Sequence, residues 1–470
     1  MCPGHAGFAS SRRDFLRATN MGFGMLAFAG LEGMRADAND GVHPRDFAPK
    51  ARHVIFLFMD GGVSHVDTFD YKPELARRSG QQAVWAVDQK SQAINPSRKW
   101  LGPLWKFRQR GESGLWVSDL LPHMAQLADE LCVIRSVTGE TPLHGAQALL
   151  LHTGRSIGAA PSMGSWISYG LGTENENLPG YVLLNNDWIP NGGFQNFASA
   201  FLPATSQAAL VRARGVPVDN IVPADPQAIQ RAKLDFLREQ DTATADGFGD
   251  RAAIEAAIRN HETAARMQSL LPEVCDISGE TRATRELYGV DRGNDFDKFY
   301  ALQCLRARRM VEAGVRFVEI TCPLTHSNNA PWDQHGELKL RHEENARITD
   351  QPVAALIRDL RARGLLESTL VVWAGEMGRT PHSGGTDGRD HHVSGYTICM
   401  AGGGVRGGMT YGTTDEMGMA AVEHPVDIHD IHATILHQLG VDHERLTFRF
   451  GGRDIRLTDV HGRVIRPILT

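Results

Sequence analysis

The sequence predicts an α/β fold whose central sheet is mainly parallel and covered on both faces. Three observations predict it. Six short runs are almost wholly apolar: residues 53–59, 131–137, 181–184, 315–321, 369–374 and 396–401. Such runs suit strands buried on both sides. Segments with helical spacing of apolar residues lie between them, at 120–130, 227–240, 251–271, 295–313, 342–363 and 428–439. Strands that alternate with helices favour parallel pairing through crossovers.

Taken in chain order, the first element is an address. Residues 11–17 read SRRDFLR, with Arg12 and Arg13 paired ahead of Phe15 and Leu16. An uncharged stretch follows at 18–31, and Ala36-Asp37-Ala38 supplies a small-x-small cleavage pattern. This order matches a bacterial twin-arginine export signal over residues 1–38, which lies outside the fold. The apolar stretch is too short to remain as an anchor, so the mature chain carries no integral membrane segment and is periplasmic or secreted. Cys2 precedes the stretch, and five cysteines remain after cleavage. An odd number in an oxidising compartment implies at least one buried free thiol.

The remainder, 39–470, reads as one domain with two insertions. Residues 71–117 hold Trp85, Trp100, Trp105 and Trp116 among polar residues, and 185–224 is rich in Gly, Pro and Asn. Long loops of this kind are often functional. Apolar residues form 42% and charged residues 22% of the chain. Those values exclude a disordered chain, a collagen-like repeat and a polytopic membrane protein. A net charge of −6 with no long basic run excludes a binder that tracks a nucleic-acid backbone. No C-x-x-C pair occurs among the six cysteines, against a cysteine zinc knuckle or an iron–sulfur cluster.

In open parallel sheets, ligands bind beyond the carboxyl ends of the strands. Asp60 follows the 53–59 run, Glu376 follows 369–374, and Asp333 with His335 (WDQH) follows 315–321. Asp390 and His391 (GRDHH) stand just before the 396–401 run. Carboxylates and imidazoles gathered at strand ends suit a divalent metal, zinc first, with manganese, iron, magnesium or calcium as alternatives.

Gly402-x-Gly404-x-x-Gly407 matches a dinucleotide fingerprint, but no helical pattern follows, so a glycine-rich turn is expected. His429 and His432 share helical spacing with Ile428, Ile431 and Ile435 and read as structural. Ser64, His65 and Asp67 are close in sequence, which is not triad geometry; His65 is better placed to support Asp60. Arg379 either grips an anion or ties down its loop.

The ordered segments MDGGVSHVDTFDYKPEL, HTGR, WDQH, GEMGRTP, GRDHH, AGGGVRGG and PVDIHDIHATILHQLG resemble the bacterial domain-of-unknown-function family 1501 over about residues 50–445. That family is related to the sulfatases and, more distantly, to the alkaline phosphatase superfamily. The resemblance implies an alkaline-phosphatase-like α/β/α sandwich with metal at the strand ends. By it, Asp60 takes the place of the first-strand aspartate ligand, Asp333 and His335 that of an Asp/His pair, and His391 that of the late histidine ligand. Glu376 stands where those enzymes have an aspartate, and Met377 falls where the second ligand of that pair should be. Asp390 completes the expected ligand set.

The same resemblance locates the nucleophile at the start of the helix ending in Thr153-Gly154-Arg155. Counting back places His144 there; alignment on Pro142 places Glu140 there, and Thr141 is the hydroxyl of that turn. Neither the Cys nor the Ser of a sulfatase is present. His144 and Thr141 are therefore the candidate catalytic residues. Three functions stay open: a metal-dependent hydrolase of small anionic phosphate or sulfate esters, a non-catalytic metal-binding or structural protein of the same fold, and a metal-dependent oxidoreductase.

Overall fold

The structure, a computed structural model, describes residues 45–83, 98–219, 221, 225–248, 262, 265–268, 270–325, 330–383, 385 and 387–470. Residues 1–38, expected as an export signal, and part of the 251–271 segment lie outside these residues.

All six apolar runs form strands. In chain order the main sheet comprises β1 (His53–Phe58), β2 (Cys132–Thr138), β3 (Tyr181–Asn185), β4 (Ala209–Arg212), β5 (Phe317–Thr321), β6 (Thr369–Ala374), β7 (Tyr396–Ala401), β8 (Met409–Tyr411) and β9 (Val426–Asp427). Their spatial order is β8-β2-β7-β6-β1-β5-β3-β4, with β9 beside β2. Strand β1 pairs in parallel with β5 and β6 through Val54, opposite Phe317 and Leu370. Only β7 runs against its neighbours β2 and β6.

The longer helices among the described residues are α1 (His144–Thr153), α2 (Met163–Leu171), α3 (Gln227–Phe248), α4 (Asp295–Glu312), α5 (Leu338–Ala362) and α6 (Ile428–Gln438). Side chains alternate across a strand, and β1 shows both faces in use. Ile55 and Leu57 join the core shared with α4 and α5. Val54, Phe56 and Phe58 join the core shared with α1, α2 and α6. The result is a three-layer α/β/α fold. Among the described residues, no helix is long and apolar enough to cross a membrane.

Four differences from the sequence reading have physical causes. The 120–130 segment winds only a short 3-10 turn at Met124–Leu127, because Pro122 interrupts it and the Asp350 carboxylate takes the backbone N–H of His123 and Met124 at 2.7 and 2.8 Å. Helix α2, absent from the sequence reading, is 9 residues long and buried at all but Tyr169, so it shows no polar solvent face. Its Gly164 lies so close to the sheet that a Cβ would meet the Tyr181 ring at 2.7 Å. Within the stretch expected as the loop insertion 185–224, β4 forms the edge of the sheet. The insertion at 71–117 carries a short helix, Pro73–Arg78, and an antiparallel ribbon, Phe107–Arg110 with Leu115–Ser118.

The expected free thiol is present: Cys132, Cys275, Cys304, Cys322 and Cys399 are all buried and unbridged. The Gly402–Gly407 segment is a turn leading into β8, not a helix.

Candidate functional site

Because β7 is antiparallel, the residues that precede it lie at the same end of the sheet as those that follow β1, β2, β5 and β6. Four distant loops therefore meet at that end. Asp60 leaves β1 into Gly61-Gly62. Gly61 has φ +109°, and a Cβ on it would stand 2.6 Å from the Asp333 nitrogen, so only glycine lets the Asp333 loop stack against it. Beyond β2, the Gln147 side-chain oxygen accepts from the Glu140 and Thr141 nitrogens at 3.1 and 3.3 Å. The turn thus formed delivers His144 as the first residue of α1.

Three imidazoles converge here. His144 Nδ1 lies 2.5 Å from Glu376 Oε1, His335 Nδ1 lies 3.0 Å from Asp390 Oδ1, and His391 Nδ1 lies 2.7 Å from the Pro142 carbonyl. Ionised carboxylate and carbonyl oxygens only accept, so each Nδ1 donates and each neutral ring presents a bare Nε2. These Nε2 atoms face one another: His391 is 2.8 Å from His144 and 2.9 Å from His335. Asp333 Oδ1 completes the group, 3.3 Å from His144, 3.1 Å from His335 and 3.3 Å from His391. Lone pairs at such distances repel unless a proton or a cation lies between them. The His144, Asp333 and His391 donor atoms stand 2.8–3.3 Å from one another as one group, a spacing compatible with a small divalent cation bound among them. The donor set therefore fits a small divalent cation. His144, Asp333 and His391 are largely enclosed and His335 is at the rim, with its side chain 49% exposed.

The charges agree with the geometry. Burial alone would lower the His144 pKa, but bonds to Asp333 and Glu376 raise it to about 9. Burial is also the largest influence on Asp333. Bonds from the three imidazoles and the charge of Arg379 outweigh it and hold this carboxyl far below the usual range. Burial lowers His391, with Asp333 opposing. Asp60 is pushed up to about 8, first by burial and then by the nearby Glu376 charge. Its Oδ2 accepts from the Trp188 indole at 2.8 Å, while its buried Oδ1 has no hydrogen-bond partner.

Of the residues expected as ligands, Asp333, His335 and His391 bring atoms into the cluster, and His144, expected as catalytic, joins them. Glu376 and Asp390 instead contact the far, Nδ1 sides of two rings; Glu376 also accepts from the Gly61 nitrogen at 3.0 and 3.1 Å. Asp60 touches Trp188 rather than an imidazole. The Thr141 hydroxyl accepts from the Leu143 nitrogen at 3.3 Å, two residues ahead of the helix.

Arg379 is fully buried and donates to the Gly61, Gly62 and Arg389 carbonyls and to Asp333. It ties loops together and neutralises Asp333. Ser64 and Asp67 bond each other at 2.6 Å, and Asp67 pairs with Arg389. His65 bonds the Gly418 carbonyl at 2.9 Å, and burial lowers its pKa to about 4; no triad forms. His429 and His432 bond the Gly154 and Leu151 carbonyls, tying α6 to α1. Sequence reasoning missed Trp188 and the carbonyl of Pro142. The only sequence signal for Trp188 was its place in a long Gly/Pro/Asn loop, and a backbone acceptor carries no signal at all.

The family described as "Protein of unknown function (DUF1501)" matches residues 51–469. No curated protein matches the chain. Among solved structures, it is similar to the phosphonate monoester hydrolase SpPMH from Silicibacter pomeroyi, at 13% identity and a TM-score of 0.41, covering 89% of this chain and 76% of that one. It is also similar to BT1596, a 2-O GAG sulfatase, at 10% identity and a TM-score of 0.40, covering 89% and 74%. A protein in the alkaline phosphatase superfamily from Vibrio parahaemolyticus gives 9%, a TM-score of 0.32, and 89% and 74%.

Proposed function

The chain belongs to the DUF1501 family, and we propose that it is an exported, metal-dependent hydrolase of phosphate or sulfate esters. The observation that carries the reading is the inward-facing group of His144, His335 and His391 Nε2 with Asp333 Oδ1. A divalent cation held there, zinc by the nature of the donors, would act as a Lewis acid toward an ester oxygen. Glu376, Asp390 and the Pro142 carbonyl fix each ring by its Nδ1, so that the donor atoms need not reorganise. Helix α1 begins at His144, and the first-turn N–H groups of a helix favour an anionic phosphate or sulfate beside the cluster. Thr141, with its hydroxyl turned to its own loop, has no part in this scheme. Export rests on SRRDFLR and the cleavage pattern that follows it.

The test is elemental analysis of the purified mature protein together with turnover of aryl phosphates, phosphodiesters and aryl sulfates, with and without a chelator. One equivalent of metal or more and chelator-sensitive hydrolysis of at least one class are expected. Bound metal without hydrolysis would favour a binding protein. A redox-active iron or manganese, which three imidazoles and one carboxylate also suit, would favour an oxidoreductase.

A further inference from the structure

We propose that the mouth of this site is a subsite for an apolar portion of the ester, an aryl ring or a branched alkyl group, so that the substrate is amphipathic; this rests on the hydrolase reading. Leu143 lies between two residues of the cluster: the Pro142 carbonyl holds His391, and His144 is itself a donor. With neighbouring Cα atoms about 3.8 Å apart, Leu143 stands one backbone step from the reacting end of the site. It is nevertheless 58% exposed.

A second loop supplies the facing side. A Cβ on Gly145, just after His144, would stand 3.5 Å from the Gly192 nitrogen, so the loop that follows β3 abuts the first turn of α1. Two residues beyond Gly192, Phe194 is 50% exposed. Four residues before Gly192, Trp188 is half-buried, its indole N–H bound to Asp60 Oδ2. The loop is braced by Asn196, which donates to the Asn191 carbonyl at 2.8 Å.

Two loops from separate parts of the chain thus bring three large apolar residues, two of them exposed, to the start of α1 beside polar and ionised groups. Exposed apolar groups gathered at a rim mark a binding surface. Apolar walls with a few convergent polar groups are the usual form of a small-molecule site. An ester bound with its anionic group at the floor would direct its alcohol portion against Leu143, Trp188 and Phe194.

Calorimetric titration with phenylphosphonate and methylphosphonate tests this, since neither has an ester bond to cleave. The metal-loaded wild-type protein is expected to bind the phenyl compound about tenfold more tightly or better, from the apolar area buried. In the double variant Leu143→Ser, Phe194→Ser the preference should fall to about twofold while methylphosphonate affinity stays unchanged, which also shows that the variant folds. Equal wild-type affinities, or a preference that survives the double substitution, would overturn the inference and leave the hydrolase reading standing. Failure of both compounds to bind would overturn both.

Discussion

Replacing Glu376 with glutamine separates a residue that holds a ligand from one that is a ligand. The Glu376 carboxylate is fully buried, and it accepts from His144 Nδ1 at 2.5 Å and from the Gly61 nitrogen at 3.0 and 3.1 Å. A glutamine keeps one acceptor oxygen and adds an NH2 donor. If the oxygen stays with His144, the Gly61 N–H faces a donor, at a cost of about 1–3 kcal/mol for an unsatisfied buried group. If it stays with Gly61, the His144 ring must carry its proton on Nε2, the atom that faces Asp333 and His391. Groups that orient metal ligands are worth about 10–100-fold in metal affinity, or about 1.4–2.8 kcal/mol. With metal at about 100 times the wild-type Kd, binding stabilises the fold by about 2.7 kcal/mol. In Glu376→Gln the same concentration should leave about 0.4–1.4 kcal/mol. Competition with a chromophoric chelator measures the affinity, and urea unfolding with and without metal measures the stabilisation. Complete loss of affinity would show that Glu376 is itself a ligand, as the sequence reading expected. Unchanged affinity would remove the imidazole cluster as the site.

Three further outcomes are expected. Thr141→Ala should retain turnover within about a factor of two, because its hydroxyl accepts only from Leu143, whereas His144→Ala should lose metal by elemental analysis and activity with it. Burial raises the Asp350 pKa to about 6 despite the His123 and Met124 N–H bonds. The folded state therefore keeps a proton that the unfolded chain releases near pH 4. Stability from this group is full below that value and is lost as pH rises towards 6, by about 3 kcal/mol in all; Asp350→Asn should flatten that slope in urea titrations at pH 4.5 and 7. Arg12→Lys combined with Arg13→Lys should leave an uncleaved precursor in the cytoplasm on immunoblotting, and normal processing would refute the twin-arginine assignment.

The layered architecture was legible because its causes are local. A strand buried on both faces is apolar at nearly every position, as in residues 54–58, and that property survives without knowledge of any neighbour. The same holds for Asp60 and Glu376: a polar residue where an apolar run stops marks the end of a strand. Helix α2 and strand β4 were missed for the converse reason. A 9-residue helix buried at all but Tyr169 shows no polar face to mark it, and a four-residue edge strand is too short to show a period.

The sequence by itself determined six strands of the main sheet, polar residues at their ends and the position of His144 at a helix start. Only the tertiary structure decided which atoms of those residues meet. Whether a histidine turns Nε2 or Nδ1 inward depends on what stands behind the ring, and here the three backing groups are Glu376, Asp390 and the Pro142 carbonyl. Glu376 and Pro142 act on rings 232 and 249 residues away in the chain. Chain folding alone brings such groups within hydrogen-bond reach, so Glu376 and Asp390, which read as ligands in one dimension, stand behind the Nδ1 atoms of two imidazoles in three.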